Sequence, residues 1–257
     1  MLIDAHNHLH QFDDPDAIVA DLRREGIEGC VVNGTCEADW PRVAALAERH
    51  PDFIRPAFGL HPWHAHRRSP GWLDELSRWL DRLPQASVGE CGLDGWVDEP
   101  ALDLQCEVFL AQLRLARERD RPISIHALKA WGPLLDALAA EPPPPRGFLL
   151  HSFGGSPELA RQLSPLGARF SFSGYFLHPR KHKVLESYRH VPLDRLLLES
   201  DAPDMLPPAC AIRHPLPDGR NHPAILIAIR DALADHLGLP AGTLGARCLD
   251  NTRRYFD

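Results

Sequence analysis

The chain reads as an α/β protein, a (β/α)8 barrel formed as a single domain over residues 1–257. Three observations predict this. Short apolar runs alternate eight times with segments of helical period. A length of 257 residues suits one such barrel and one large core, so it does not demand a second domain. Finally, a histidine or an acid recurs at the C-terminal end of six of the runs, the rim where barrels gather their functional side chains. A doubly wound open sheet shares the alternation but need not bring its first and last strands together.

The first strand covers residues 2–8. The helix after it is prepared by Asp13-Asp14-Pro15, carries Ile18, Val19 and Leu22, and stops at Gly26. Residues 29–34 read as a buried parallel strand, and Val43, Ala44, Leu46 and Ala47 follow at helical spacing. The third strand, residues 55–60, ends in His61-Pro62-Trp63-His64, and a helix spans 72–83. The fourth strand, residues 86–90, precedes a long amphipathic helix over about 101–119, with Leu102, Cys106, Phe109, Leu110 and Leu113 on one face. The fifth strand is 121–126, the sixth 147–151, the seventh 168–173 and the eighth 195–201. Pro142 to Pro145 read as a rigid surface connection. The loop-rich stretch 202–223 then leads into final helices over about 224–237 and 244–255.

Hydrophobic residues make up 44% and charged residues 25%, an ordinary balance for a globular enzyme and one that argues against disorder. A formal net charge of −7 argues against a surface that coats nucleic acid, while leaving room for a local site that grips one strand end. Six cysteines form no Cys-x-x-Cys pair, and no secretory leader precedes the first strand, so reduced thiols and a cytoplasmic location are expected. No apolar run approaches membrane-spanning length. Fifteen histidines invite a search for ligands.

His6 and His8 are two apart on a strand, so their side chains share a face about 6–7 Å apart. His61, Glu90, His126, His151 and Asp201 stand at the ends of strands three, four, five, six and eight. Each alone has an ordinary explanation: a core histidine, a turn-capping acid, a helix N-cap. Their recurrence at one rim does not. Four histidines and two carboxylates suit two divalent ions that share an acid. Imidazole favours Zn, Mn, Fe or Co and carboxylate also accepts Mg, whereas a calcium-style cage would be all oxygen. Such a pair activates water and clamps the oxygens of an in-line displacement, which is hydrolytic chemistry.

Six stretches resemble the TatD-like metal-dependent hydrolases of the amidohydrolase superfamily. They are Ile3-Asp4-Ala5-His6-Asn7-His8-Leu9, Gly59-Leu60-His61-Pro62, Gly89-Glu90-Cys91-Gly92-Leu93-Asp94, Ile125-His126-Ala127, His151-Ser152-Phe153-Gly154-Gly155 and Leu197-Leu198-Glu199-Ser200-Asp201-Ala202-Pro203. They follow the family's order across nearly the whole chain. The resemblance implies two divalent ions, Mg2+ or Mn2+ in function with Zn2+ an alternative. His6, His8 and Asp201 would hold one, His126 and His151 the other, and Glu90 would bridge them. Asp201 would also orient or deprotonate the attacking water, and His61 with His64 would meet the substrate phosphate. The implied activity is that of a deoxyribonuclease, an exonuclease removing nucleotides from the 3′ ends of DNA, with RNA a further candidate. No membrane and no obligate protein partner are expected.

The chain departs from the family pattern in three places. Leu128 and Lys129 stand where Arg-Asp is common, Asn221-His222-Pro223 where Asn-Glu-Pro is common, and Cys91 where an aliphatic residue is usual. None of these removes an expected ligand. The same metal pair would also serve an esterase or deacylase, including one acting on mischarged D-aminoacyl transfer RNA, and a non-catalytic barrel with a structural metal is a third alternative. The run Arg180 to Lys183 after the aromatic Tyr175-Phe176 reads as a phosphate-gripping rim or as a solvated helix start. Trp63 reads as a base-stacking ring or a loop anchor, Arg67-Arg68 as solvated surface, and Glu199 as support for a metal ligand.

Overall fold

Each of the eight apolar runs forms a strand in the computed structural model, which describes residues 1–257. The strands are β1 (Leu2–Asn7), β2 (Ile27–Asn33), β3 (Ile54–Phe58), β4 (Ser87–Asp94), β5 (Ile123–Leu128), β6 (Phe148–Leu150), β7 (Ala168–Ser173) and β8 (Leu196–Glu199). They pair in parallel in chain order. Most of their residues are buried, as expected of a parallel sheet covered by helices on its outer face.

The seam between β1 and β8 is closed by specific bonds and not by a regular ladder. Asp201 N donates to the His6 carbonyl (3.0 Å) and His8 N to the Ala202 carbonyl (2.7 Å). The buried Asp4 carboxylate on β1 accepts from Ser200 N (2.9 Å) and Ser200 Oγ (2.5 Å). First and last strands therefore meet, and the architecture is a nearly closed (β/α)8 barrel, not an open doubly wound sheet.

The outer helices are α1 (Pro15–Arg24), α2 (Trp40–Arg49), α3 (Trp72–Arg82), α4 (Leu102–Glu118), α5 (Trp131–Ala140), α6 (Pro157–Leu163), α7 (His182–Ser187), α8 (Leu226–Leu237) and α9 (Ala241–Phe256). Helix α1 begins as its sequence indicates, with the Asp14 carboxylate accepting from Ala17 N (2.9 Å) and Pro15 in its first position. Some boundaries differ from expectation. β1 ends at Asn7 and β8 at Glu199, because His8 and Asp201 already turn out of the sheet. α9 starts at Ala241, three residues before the expected Leu244.

The core has two layers. One lies between sheet and helices and includes Trp40, Phe58, Phe109, Phe148 and Phe170. The other fills the barrel lumen: Ala5, Val31, Ala57, Leu149 and Leu197 stack over Tyr255 and Phe256 of α9. The Tyr255 hydroxyl accepts from Ile123 N and donates to the Ile123 carbonyl, both at 2.9 Å, so α9 seals the N-terminal end of the barrel. The opposite end stays polar. No helix is long and apolar enough to cross a membrane.

Candidate metal centre

Glu90 lies on β4 where neighbouring backbones pass closely. A Cβ on Gly59, just after β3, would stand 2.6 Å from Gly89 C and 2.7 Å from the Glu90 carbonyl oxygen. A Cβ on Gly92 would stand 2.0 Å from the His126 carbonyl oxygen, and Gly92 itself has φ +137°. Two glycines thus let β4 sink between β3 and β5 and carry the Glu90 carboxylate to the axis of the mouth.

Five imidazoles surround that carboxylate, and its two oxygens divide them. Oε2 faces His6 Nε2 (3.3 Å) and His8 Nε2 (3.2 Å), and the same two nitrogens lie 3.7 and 3.5 Å from Asp201 Oδ1. Oε1 faces His151 Nε2 (2.9 Å), His126 Nδ1 (3.1 Å) and His61 Nε2 (3.2 Å). His6 stacks on His151 across the centre, ring centroids 4.0 Å apart. Asp201 reaches the His6–His8 side because the chain turns there at φ +53°, a left-handed conformation that aspartate tolerates better than most residues.

The donor set fits divalent cations. His6 is wholly buried with no hydrogen-bond partner at either ring nitrogen, which in a folded interior calls for a partner of another kind. The ligand atoms of His6, His8 and Glu90, of His61, Glu90 and His126, and of His6, His151 and Glu199 each lie within 4.8 Å of one another, so each trio could hold an ion. Burial works to raise the Glu90 pKa, but the imidazoles of His151 and His61 outweigh it and hold this carboxyl well below the usual range. Asp201 is likewise opposed by burial, yet the hydrogen bond from His8 and the nearby imidazoles bring it down to about 2. Both carboxylates are thus ionised and ready for cations.

The remaining bonds of each ring sort the histidines. His8 Nδ1 donates to the Asn33 carbonyl (2.8 Å), which makes Nε2 the atom that faces the acids. His126 Nε2 lies 3.1 Å from Asp94 Oδ2, which leaves Nδ1 for the centre. His61 is the reverse case. Its Nδ1 accepts from Trp63 N (3.2 Å), so the neutral ring carries its proton on Nε2 and presents a donor, not a lone pair. Burial keeps that ring neutral by pushing its pKa down to about 4.

The six expected ligands, His6, His8, Glu90, His126, His151 and Asp201, all converge, and His61 joins them. His64 does not. It is half-buried beside His61, ring centroids 6.5 Å apart, without a bond to either acid. The basic run packs onto Tyr175: Arg180 donates to its hydroxyl (2.9 Å) and Lys181 Nζ sits 5.0 Å from its ring centre. Arg68 bonds to the Ala65 carbonyl and to Glu107, so it braces a loop. Glu199 accepts from Ser152 N (2.7 Å) and Ser152 Oγ (2.5 Å), with His151 Nδ1 3.6 Å away. Asp94 and Trp96 had no role in the sequence reading. The available signal was a tryptophan set in a glycine-bearing turn directly after a strand that carries an expected ligand.

Comparison with known proteins agrees with this geometry. Residues 3–257 match the family described as TatD related DNase. The chain is 33% identical over 250 residues to the 3'-5' ssDNA/RNA exonuclease TatD of Erwinia tasmaniensis, covering 95% of this chain and 94% of that one. It is 31% identical over 262 residues to the uncharacterised metal-dependent hydrolase YabD of Bacillus subtilis, covering 100% and 99%. The crystal structure of the TatD homologue YjjV from Escherichia coli superposes with a TM-score of 0.90 at 30% identity, covering 99% and 97%. With its barrel and its buried histidine–carboxylate cluster, the chain belongs to the TatD family and is a metal-dependent hydrolase.

Proposed function

We propose that this chain is a two-metal phosphodiesterase that removes nucleotides from the 3′ ends of single-stranded nucleic acid. The observation that carries the reading is the division of imidazoles between the two oxygens of Glu90. His6, His8 and Asp201 would hold one ion and His126 and His151 the other, with Glu90 shared. Divalent ions in such a pair lower the pKa of water and neutralise charge on phosphate oxygens.

The protein's own groups supply the rest. Asp201, an ionised carboxylate at the mouth, orients the attacking water and accepts its proton. His61, with Nε2–H directed into the centre, donates to a phosphate oxygen. The names of two TatD relatives at 33% identity support a single-stranded substrate.

The test is digestion of 3′-labelled and 5′-labelled single-stranded DNA and RNA oligonucleotides with Mg2+, Mn2+ or chelator, beside Glu90→Ala. The expected result is stepwise, metal-dependent loss from the 3′ end, reduced by more than about 100-fold in the variant, since even outer partners of metal ligands are worth 10–100-fold. Wild-type protein that cleaves no phosphodiester with any divalent ion would sink the nuclease reading.

A further inference from the structure

Four of the six tryptophans, Trp40, Trp72, Trp79 and Trp131, pack into the core or against it. Trp63 and Trp96 do not: they are 50% and 66% exposed. Their position is specific. Trp63 lies in the turn after β3 and packs edge-on against His61, ring centroids 4.8 Å apart. Trp96 lies in the loop after β4, with Lys129 Nζ 3.8 Å from its ring centre. Leu128, a third exposed apolar side chain, comes from the adjoining end of β5.

One carboxylate fixes both segments. Asp94 Oδ2 accepts from Trp63 Nε1 (2.7 Å), and Asp94 Oδ1 accepts from Trp96 N (2.7 Å). The same Oδ2 meets His126 Nε2. Gln105 of α4 clasps Asp94 from behind, its Oε1 accepting from Asp94 N (2.7 Å) and its Nε2 donating to the Asp94 carbonyl (3.0 Å). Gly95 N donates to the Leu128 carbonyl (2.7 Å), tying the loop to β5. The Trp63 indole and the backbone at Trp96 are therefore held in place, while large parts of both indole surfaces remain in water. Leaving that much aromatic surface exposed forgoes hydrophobic stabilisation, and exposed apolar clusters of this kind mark binding sites.

We propose that Trp63 and Trp96 form the stacking platform for the unpaired bases of the strand that enters the centre, with Lys129 beside it for the backbone phosphate. Aromatic faces accept any base, so the platform selects single-stranded ends over paired ones and not one sequence over another. Because Asp94 joins the platform to His126, seating a base also sets the position of the strand relative to the candidate metal centre. This inference rests on the nuclease reading above and specifies how that site recognises its substrate.

The experiment compares wild type with Trp63→Leu, Trp96→Leu and the double variant on two oligonucleotides of equal length. One is ordinary and the other has abasic 3′-terminal sugars. Binding is measured separately from turnover, by the anisotropy of 5′-fluorescein versions with phosphorothioate 3′ linkages. Base stacking onto a protein aromatic corresponds to roughly 5–150-fold in affinity. The expected result is about a tenfold or larger rise in Kd and KM for the ordinary strand, with kcat changed far less and the abasic strand bound weakly by all four proteins alike. Unchanged Kd in the double variant, or an equal loss on both strands, would overturn the platform. If wild type cleaves neither strand but its preference for bases over abasic sugars vanishes in the variants, the platform stands and the nuclease reading falls.

Discussion

At Glu199 the last strand presents a wholly buried carboxylate that faces His151 Nδ1, while His151 Nε2 faces Glu90. Glu199 collects Ser152 N, Ser152 Oγ and Ser171 Oγ, and stands behind His151 Nδ1 at 3.6 Å. Its position behind Nδ1 favours the ring orientation that turns Nε2 towards Glu90. Glu199→Gln keeps the shape but removes acceptor capacity behind the ring. The variant should fold normally by circular dichroism yet bind Mn2+ about 10–100-fold more weakly in calorimetric titration. Unaltered Mn2+ affinity would show that the serines alone satisfy Glu199. The same residue-scale logic separates His61 from His8. Both face Glu90, but the partners of their Nδ1 atoms differ: His61 Nδ1 accepts, which puts the neutral ring's proton on Nε2, whereas His8 Nδ1 donates, which makes Nε2 the atom available to a cation.

At the scale of elements, the site depends on how closely β3, β4 and β5 can approach. Gly59 is a tight point directly against Glu90, because an added Cβ would meet backbone atoms of Gly89 and Glu90 and not a flexible side-chain end. Gly59→Ala is expected to destabilise the fold by about 1–3 kcal/mol, as overpacking typically does. It should also depress activity at temperatures where the variant remains folded, because β4 must shift with Glu90 on it. Urea denaturation and metal-dependent hydrolysis measured together check this, and loss of stability without loss of activity would contradict the link. The β1–β8 seam is a second element-scale device. Asp4 gathers Ser200 N, Ser200 Oγ, Asn7 Nδ2 and His6 N, and so draws the two chain ends that carry His6, His8 and Asp201 together.

Across the whole molecule, chemistry and stability are placed at opposite ends of the barrel. The C-terminal mouth holds the charged cluster, and the N-terminal end is plugged by α9, where Tyr255 closes a pair of hydrogen bonds with Ile123. Tyr255→Phe leaves a buried donor and acceptor on β5 without that partner. It should lower stability by about 1–3 kcal/mol, the usual cost of such groups. Metal binding and kcat at 25 °C should stay at wild-type values, because the substitution lies at the far end of the lumen. A variant with unchanged unfolding midpoint but lower kcat would reverse that division of roles.

What the sequence determined by itself was local and repetitive: eight apolar runs, helical segments between them, and a histidine or acid after six of the runs. Strand and helix periods are properties of neighbouring residues, so they can be read without knowing what packs against what. His6, Glu90, His126, His151 and Asp201 were legible for that reason. Sequence proximity to His61 does not say which way a short turn points the His64 ring, and in the fold that ring lies beside His61 with centroids 6.5 Å apart. The bonds that join Asp94 to Trp63 and Trp96 were not legible, since they arise only when the loops after β3 and β4 come together. The tertiary structure alone decided which Glu90 oxygen meets which histidines, which ring nitrogen carries a proton, and how the first and last strands are joined. Each of these depends on closing the barrel, which brings Asp4 against Ser200 and His6 near Asp201. Contacts that far apart along the chain leave no periodic trace in the sequence, because they are set by the geometry of closure and not by any residue's neighbours.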